Sequence, residues 1–474
     1  MKRSKRLGVL LGVLAAVTAV TFGVSRIEQY QEKIKNSDEV ILEVDPDAVQ
    51  TLSWDYDGKS FAFHREKSWI YDSDEAFPVD EDKISQLLGL FSEFGVSFVI
   101  EDVEDYSQYG LDDPLCTISF ATEDETYEMT LGNYSAMDEE RYVSIGDGNV
   151  YLVQTDPLDY FDAGLQDLIK NDTVPSFDSV SRISFAGEAA YTAQYQEDST
   201  DSYCADDVYF AEKSGETVPL DTSRVESYLK NLTGLSLTDF MTYDMADAEL
   251  AQYGLDDPQL TISVDYTEED EDGQTTEGTF TLYVGRGPEE LEKARQAEDD
   301  ASDDTEETVN AYVRVGDSSI IYQITAEEYD DLLAASVDDL RHQELLSFDF
   351  DEITSMDVML EGETYTITAE GRDDDRTWSF DGEEIEIAEL KNALESLKAD
   401  TFTEEAATQK EEISVTLHLE DENHPKLAIT LYRYDGSDCL AVINGESQCL
   451  VKRSLAVDLV EAVHSIVLGA EQNE

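Results

Sequence analysis

The stretch QYGLDDPLCTISF, Gln108–Phe120, returns as QYGLDDPQLTISV at Gln252–Val264. The first seven residues are identical and the alternating run behind them is nearly so, which marks a duplication longer than the motif. Upstream of each copy lie a β-rich stretch and an amphipathic helix, EDKISQLLGLFSEF in one case and TSRVESYLKNLTGL in the other. Downstream come the T-I-S strand, a strand ending in LGNY or VGRG, a hairpin turning at Gly-Asp, and a closing helix, DPLDYFDAGLQDLI or TAEEYDDLLAASVDDL. A third copy lacks the motif. Its hairpin LAVINGESQCLV, 440–451, aligns without a gap on YVSIGDGNVYLV, 142–153. The expected class is α+β: an N-terminal transmembrane helix, then three tandem repeats of a mixed unit of antiparallel strands with two helices. The expected bounds are 1–27 for a basic tip and anchor, then 40–172, 173–347 and 348–470 for the repeats.

The motif reads as a helix-to-strand corner. Tyr109 and Leu111, like Tyr253 and Leu255, are apolar anchors, and Gly110 and Gly254 between them permit a left-handed backbone. Asp112, Asp113, Asp256 and Asp257 can bond to nearby backbone amides as turn residues do, and Pro114 and Pro258 force an extended residue before the strand. The rival reading takes the Asp pairs as carboxylates for metal or acid-base chemistry. No His or Lys adjoins either pair, which favours scaffold.

Asp and Glu number 109 against 31 Lys and Arg, a formal net charge of −78 over 474 residues. Phosphates are bound by neutralising them with Lys and Arg, so nucleic acid and anionic lipid headgroups are excluded as partners. The acidic skin favours solubility, with attraction of divalent cations or cationic polymers as the alternative. A hydrophobic fraction of 41% and an aromatic fraction of 10% suffice for several packed cores.

Lys2, Arg3, Lys5 and Arg6 precede the uncharged segment LGVLLGVLAAVTAVTFGV, Leu7–Val24. As a helix it is about 27 Å long, close to the roughly 30 Å hydrocarbon core. The basic flank predicts a signal anchor: a single-pass cell-membrane protein with its N-terminus cytoplasmic and the bulk of the chain extracytoplasmic. A cleaved signal peptide is the alternative. The four cysteines, Cys116, Cys204, Cys439 and Cys449, are too few for a disulfide framework. A two-residue turn at Asn444-Gly445 places Cys439 opposite Leu450 rather than Cys449, favouring buried free thiols over a bridge.

Catalytic motifs are missing. His64, His342, His418, His424 and His464 are scattered, with no paired spacing on a predicted helix. His418, Glu420, Glu422 and His424 would share one face of a continuous strand, but Asp421–Pro425 reads as a turn that separates them. No G-x-S-x-G, S-x-x-K or P-loop occurs. Trp54, Trp69 and Trp378 read as core, with carbohydrate stacking as the alternative. The tract Pro288–Thr308, PEELEKARQAEDDASDDTEET, is expected to be a surface loop or disordered excursion. No catalytic, metal or cofactor-binding residue is assigned, and no cofactor is expected.

The motif with its T-I-S strand, the LGNY-type strand end and the Gly-Asp hairpin resemble the bacterial family called domain of unknown function 4340, over about residues 40–345 and more weakly in the third copy. The resemblance brings no activity. It implies a membrane-anchored extracytoplasmic protein often encoded beside ABC transporter components related to those of gliding motility. The expected function is a non-catalytic interaction protein, an accessory subunit of an envelope complex with an ABC permease or related subunit as partner. A glycan- or metal-binding module and a carboxylate-dependent cell-wall hydrolase are the alternatives.

Overall fold

The computed structural model describes residues 39–101, 103–197, 200–213, 215–269, 273–299, 309–371 and 376–471. Strands outweigh helices, 41% against 22%, and every pairing is antiparallel. The expected α+β class with two helices per unit therefore gives way to a mostly β architecture. The closing helices are the main cause. DPLDYFDAGLQDLI forms two single turns, Leu158–Phe161 and Leu165–Leu168, because Gly164 between them is fully extended. TAEEYDDLLAASVDDL divides into Ala326–Leu333 and Val337–Leu340. There Ser336 leaves helical geometry to cap the second helix, accepting a hydrogen bond from the Asp339 N–H while the Asp339 carboxylate accepts from the Ser336 N–H.

Each of the three large sheets joins two antiparallel meanders through their first strands. In the first sheet, Thr51–Tyr56, Lys59–Arg65 and Trp69–Tyr71 run out to one side. Cys116–Ala121, Thr126–Ser135, Glu140–Ser144 and Val150–Val153 run out to the other, where Phe98–Ile100 closes the edge. The second sheet repeats this order outward from Ser179–Gly187 and Leu260–Glu269, and the third from Ile353–Leu360 and Glu411–Leu419. Each of these two carries one further strand in its first meander. A separate two-stranded sheet pairs Glu39–Leu42 with Phe94–Val96.

Alternation puts one face of each central strand into a core: Cys116, Ile118 and Phe120, then Leu260, Ile262 and Val264, then Ile413, Val415 and Leu417. Between its meanders each sheet inserts one amphipathic helix. Its buried positions recur at helical spacing, as in Ile84, Leu87 and Leu88 of Glu81–Gly89 and Val225, Tyr228, Leu229 and Leu232 of Thr222–Thr233. Each such side chain contributes about 1.5–3 kcal/mol by leaving water. Asp80 and Asp221 cap these two helices by accepting hydrogen bonds from backbone N–H groups of the first turn. Trp54, Trp69 and Trp378 are all buried.

The chain divides into two compact units. One holds the residues through Asp172 with Leu237–Met245 and Ser319–Tyr322; the other holds Thr173–Ser236, Ala246–Ser318 and Gln323–Glu474, and thus the third sheet and most of the second.

Three further expectations change. Among the described residues no helix is long and apolar enough to cross a membrane, so the transmembrane element of the fold class and the single-pass membrane localisation are withdrawn. The longest helix among the described residues, Arg453–Glu471, is amphipathic and buries Ala456, Leu459, Val463 and Ile466 in the third core. Leu7–Val24, on which the anchor rested, lies outside the described residues. Second, the tract beginning at Pro288 is a helix through Asp299. Pro288 suits a first helical position, Glu289 and Glu290 favour the positive end of the dipole, and Lys293–Glu290 and Arg295–Glu292 pair one turn apart. Third, Cys439 faces Val451 rather than Leu450, because a bulge between Ala441 and Val442 adds a residue to the opposing strand.

Candidate functional site

The repeated motif forms a corner in both copies. Tyr106–Tyr109 is a 3-10 turn capped by Asp105, and Gly110 ends it in the left-handed region at φ 72°. Gly254 stands at φ 69°. Leu111 and Leu255 are buried, whereas Tyr109 and Tyr253 are half-buried and lay their rings against Tyr142 and Tyr312 at 5.0 and 4.9 Å. Asp112, Asp113, Asp256 and Asp257 are exposed, and Pro114 and Pro258 half-buried. The strand end LGNY or VGRG passes directly against the corner. A Cβ on Gly132 would stand 2.2 Å from the Tyr109 carbonyl oxygen, and one on Gly285 2.3 Å from that of Gly254. Leu131 pairs with Val143 as Leu431 pairs with Ala441, so Tyr432 occupies in the third sheet the place of Gly132. The sheet without the motif also lacks its partner glycine.

The chemistry-bearing side chains gather elsewhere. In the second sheet Gln196–Val208 connects Tyr191–Tyr195 to Tyr209–Lys213. This loop is tied to the start of helix Thr222–Thr233: the Val208 N–H donates to the Thr222 hydroxyl at 3.0 Å, and that hydroxyl donates to the Asp206 carbonyl at 3.0 Å. The Asp221 N–H donates to the Leu340 carbonyl at 2.9 Å, which brings His342 to the same place. The His342 Nε2 meets both oxygens of Asp207 at 3.0 and 2.9 Å. Its Nδ1 lies 3.7 Å from Asp221. The Asp207 side chain is only 1% exposed, and it accepts a 2.6 Å hydrogen bond from the Ser202 hydroxyl.

Burial alone would push the His342 imidazole down. The hydrogen bonds to Asp207 and Cys204 and the charges of Asp207 and Asp221 outweigh it, and the ring is pushed up to about 10. Cys204, Asp207 and His342 hold one ligating atom each within 4.8 Å of one another, and so do Asp221, His342 and Glu344. Ser202 donates to Asp207 rather than to His342, which is not the order of a serine triad. The other thiols are buried and inert, with Cys116 and Cys449 pushed up to about 12 and Cys439 to about 11 by desolvation.

The same loop reaches the third sheet. The Tyr203 hydroxyl donates to the Lys426 carbonyl at 2.9 Å and accepts from the Asn444 amide at 2.9 Å. The Tyr203 ring lies on His424 at 4.4 Å, and the His424 Nε2–H donates to the Thr200 carbonyl at 2.8 Å. His418 meanwhile pairs with Asp357 at 2.9 Å, so the His418–His424 run is parted as its turn implied. A cleft of about 550 Å³ between helices Thr222–Thr233 and Ala326–Leu333, lined by Ser227, Lys230, Glu327 and Asp331, shares no residue with the His342 cluster.

Sequence reasoning missed Cys204, Asp207 and His342 as a group. The usable signal was length: the first sheet makes the connection in Glu66–Ser68, and the extra residues of the second bring Cys204-x-x-Asp207 with them.

The chain belongs to the family described as Domain of unknown function (DUF4340), whose model matches residues 69–204 and 213–416. No curated protein and no solved structure matches it.

Proposed function

We propose, with membership in this family as the premise, that the chain is a non-catalytic interaction protein, an accessory subunit of a larger assembly. The observation that carries the reading is the Tyr203 loop. Its ring, its hydroxyl and the neighbouring Thr200 carbonyl all serve to lock the second sheet to the third. A chain that fixes the spacing of two broad antiparallel sheets presents a preorganised surface, which lowers the ordering cost of binding a large partner. The net charge of −78 favours a partner with a neutral or basic face and opposes a polyanion. The family resemblance makes subunits of an ABC transporter the first partners to test.

The full chain is crosslinked in its native cells and purified, and the crosslinked peptides are mapped by mass spectrometry. Transporter subunits joined to this chain in constant ratio are the expected result. Recovery of the chain alone, or joined only to abundant bystanders in varying ratio, would overturn the reading.

A further inference from the structure

We propose that Cys204, Asp207 and His342 form a binding site for a divalent transition metal of the zinc class. An ion bonded at about 2.0–2.3 Å to sulfur, nitrogen and oxygen holds those atoms about 3.3–3.7 Å apart in a tetrahedron. The three ligating atoms here already lie within 4.8 Å of one another, and the imidazole Nε2 is 2.9 Å from an Asp207 oxygen. Closing on an ion needs shifts of well under a side-chain length. One thiol, one imidazole and one carboxylate are a donor set for zinc, cobalt or iron, whereas calcium and magnesium take oxygen.

The surroundings are those of a built site. The Ser202 hydroxyl donates to Asp207, fixing that carboxylate, and the Cys204 N–H donates to the same hydroxyl at 3.0 Å. Asp221 stands on the far side of the ring, 3.7 Å from Nδ1, too far for a hydrogen bond but near enough for its charge to favour a cation on the imidazole. Asp207 is almost wholly buried and Cys204 half-buried, so the protein covers most of the ion and leaves one side open for a fourth ligand. Binding exchanges the Cys204 thiol proton and the proton between His342 and Asp207 for the metal, and both protons pass to solvent. The loop that carries two of the ligands also bears Tyr203, so an ion at this place would stiffen the junction of the second and third sheets. That role goes beyond the interaction reading and does not depend on it.

The test uses the full chain, stripped with a chelator and titrated with cobalt(II), which enters zinc sites and reports a sulfur ligand through a thiolate-to-metal charge-transfer band. One cobalt per chain with that band, displaced by zinc, is expected. Cys204→Ser removes the band while circular dichroism stays unchanged, and Asp221→Asn keeps it. Cobalt uptake without the band, or equal uptake by the wild type and Cys204→Ser, would overturn the site, because surface carboxylates would then account for the metal. His342→Gln is expected to abolish stoichiometric uptake, and should that variant fail to fold, the Cys204→Ser comparison still decides.

Discussion

Between Lys59–Arg65 and Trp69–Tyr71 the first sheet turns in Glu66–Ser68, whereas the second takes Gln196–Val208 for the same connection. The short turn closes on itself, with the Glu66 N–H donating to the Ser68 carbonyl at 3.1 Å. The long one closes partly on itself, through Ser202, Cys204 and Asp207, and in addition recruits Thr222, His342, Lys426 and Asn444. The two sheets differ again where the chain leaves them. Leu168 and Leu340 accept the equivalent hydrogen bonds from Asp80 and Asp221, and two residues later the first sheet has exposed Lys170 where the second has His342. One strand order thus carries a plain turn in one place and a cluster with metal-ligating chemistry in the other. The difference lies in a connection, where added length is tolerated without disturbing strand register.

The sharpest way to break this comparison is to remove Asp207. Asp207→Ala removes the buried carboxylate that holds His342 protonated, leaving only Asp221 at 3.7 Å, and is expected to destabilise the second unit by about 3–5 kcal/mol. Hydrogen exchange at Gln196–Val208 should rise sharply. Lys170→Ala, at the matching place in the first unit, should stay within about 0.5 kcal/mol. Similar losses from both variants would mean that the second sheet does not depend on its insertion.

The motif supplies a smaller contrast. Any L-residue at the left-handed corner costs about 1–2 kcal/mol. At Gly254 the added Cβ would also stand 2.1 Å from the Arg286 carbonyl oxygen, whereas at Gly110 the nearest atom is the Asn133 side chain at 2.6 Å, which can swing aside. Gly254→Ala should therefore lower the urea midpoint further than Gly110→Ala, and equal midpoints would show that the strand end yields as readily as a side chain. The smallest expected effect is Tyr203→Phe, which keeps the ring on His424 but removes the hydroxyl shared by Lys426 and Asn444, at about 1 kcal/mol. Exchange protection at Lys426–Arg433 is the readout, and unchanged protection would reduce the hydroxyl to a bystander.

Much of the fold was legible where a pattern is local. The i, i+3, i+4 spacing of Ile84, Leu87 and Leu88 lies on a helix, and the alternation of Cys116, Ile118 and Phe120 lies on a strand. The overall class was misread because helix ends depend on single residues: Ser336 and Gly164 each interrupt a run whose periodicity continues through them. The helix from Pro288 was overlooked because composition spoke for disorder while the first-turn signals Pro288, Glu289 and Glu290 spoke for a helix. The His342 cluster was illegible for another reason. Asp207 and His342 are 135 residues apart and meet only because one helix N-terminus gathers both segments, a juxtaposition with no periodic signature.

The bridge from Tyr203 to Lys426 spans 223 residues of sequence, and that separation has a consequence during synthesis. At about 5–20 residues per second a ribosome needs roughly 11–45 s to make the intervening chain. Strands pair far faster, with hairpins closing in about 1–10 μs. The second sheet therefore completes its own ladder while Tyr203 has nothing to hold, and the nascent chain carries an unengaged aromatic loop until the third sheet emerges. A ribosome stalled before Lys426 would display that loop, and limited proteolysis would cut it there but not in the finished protein.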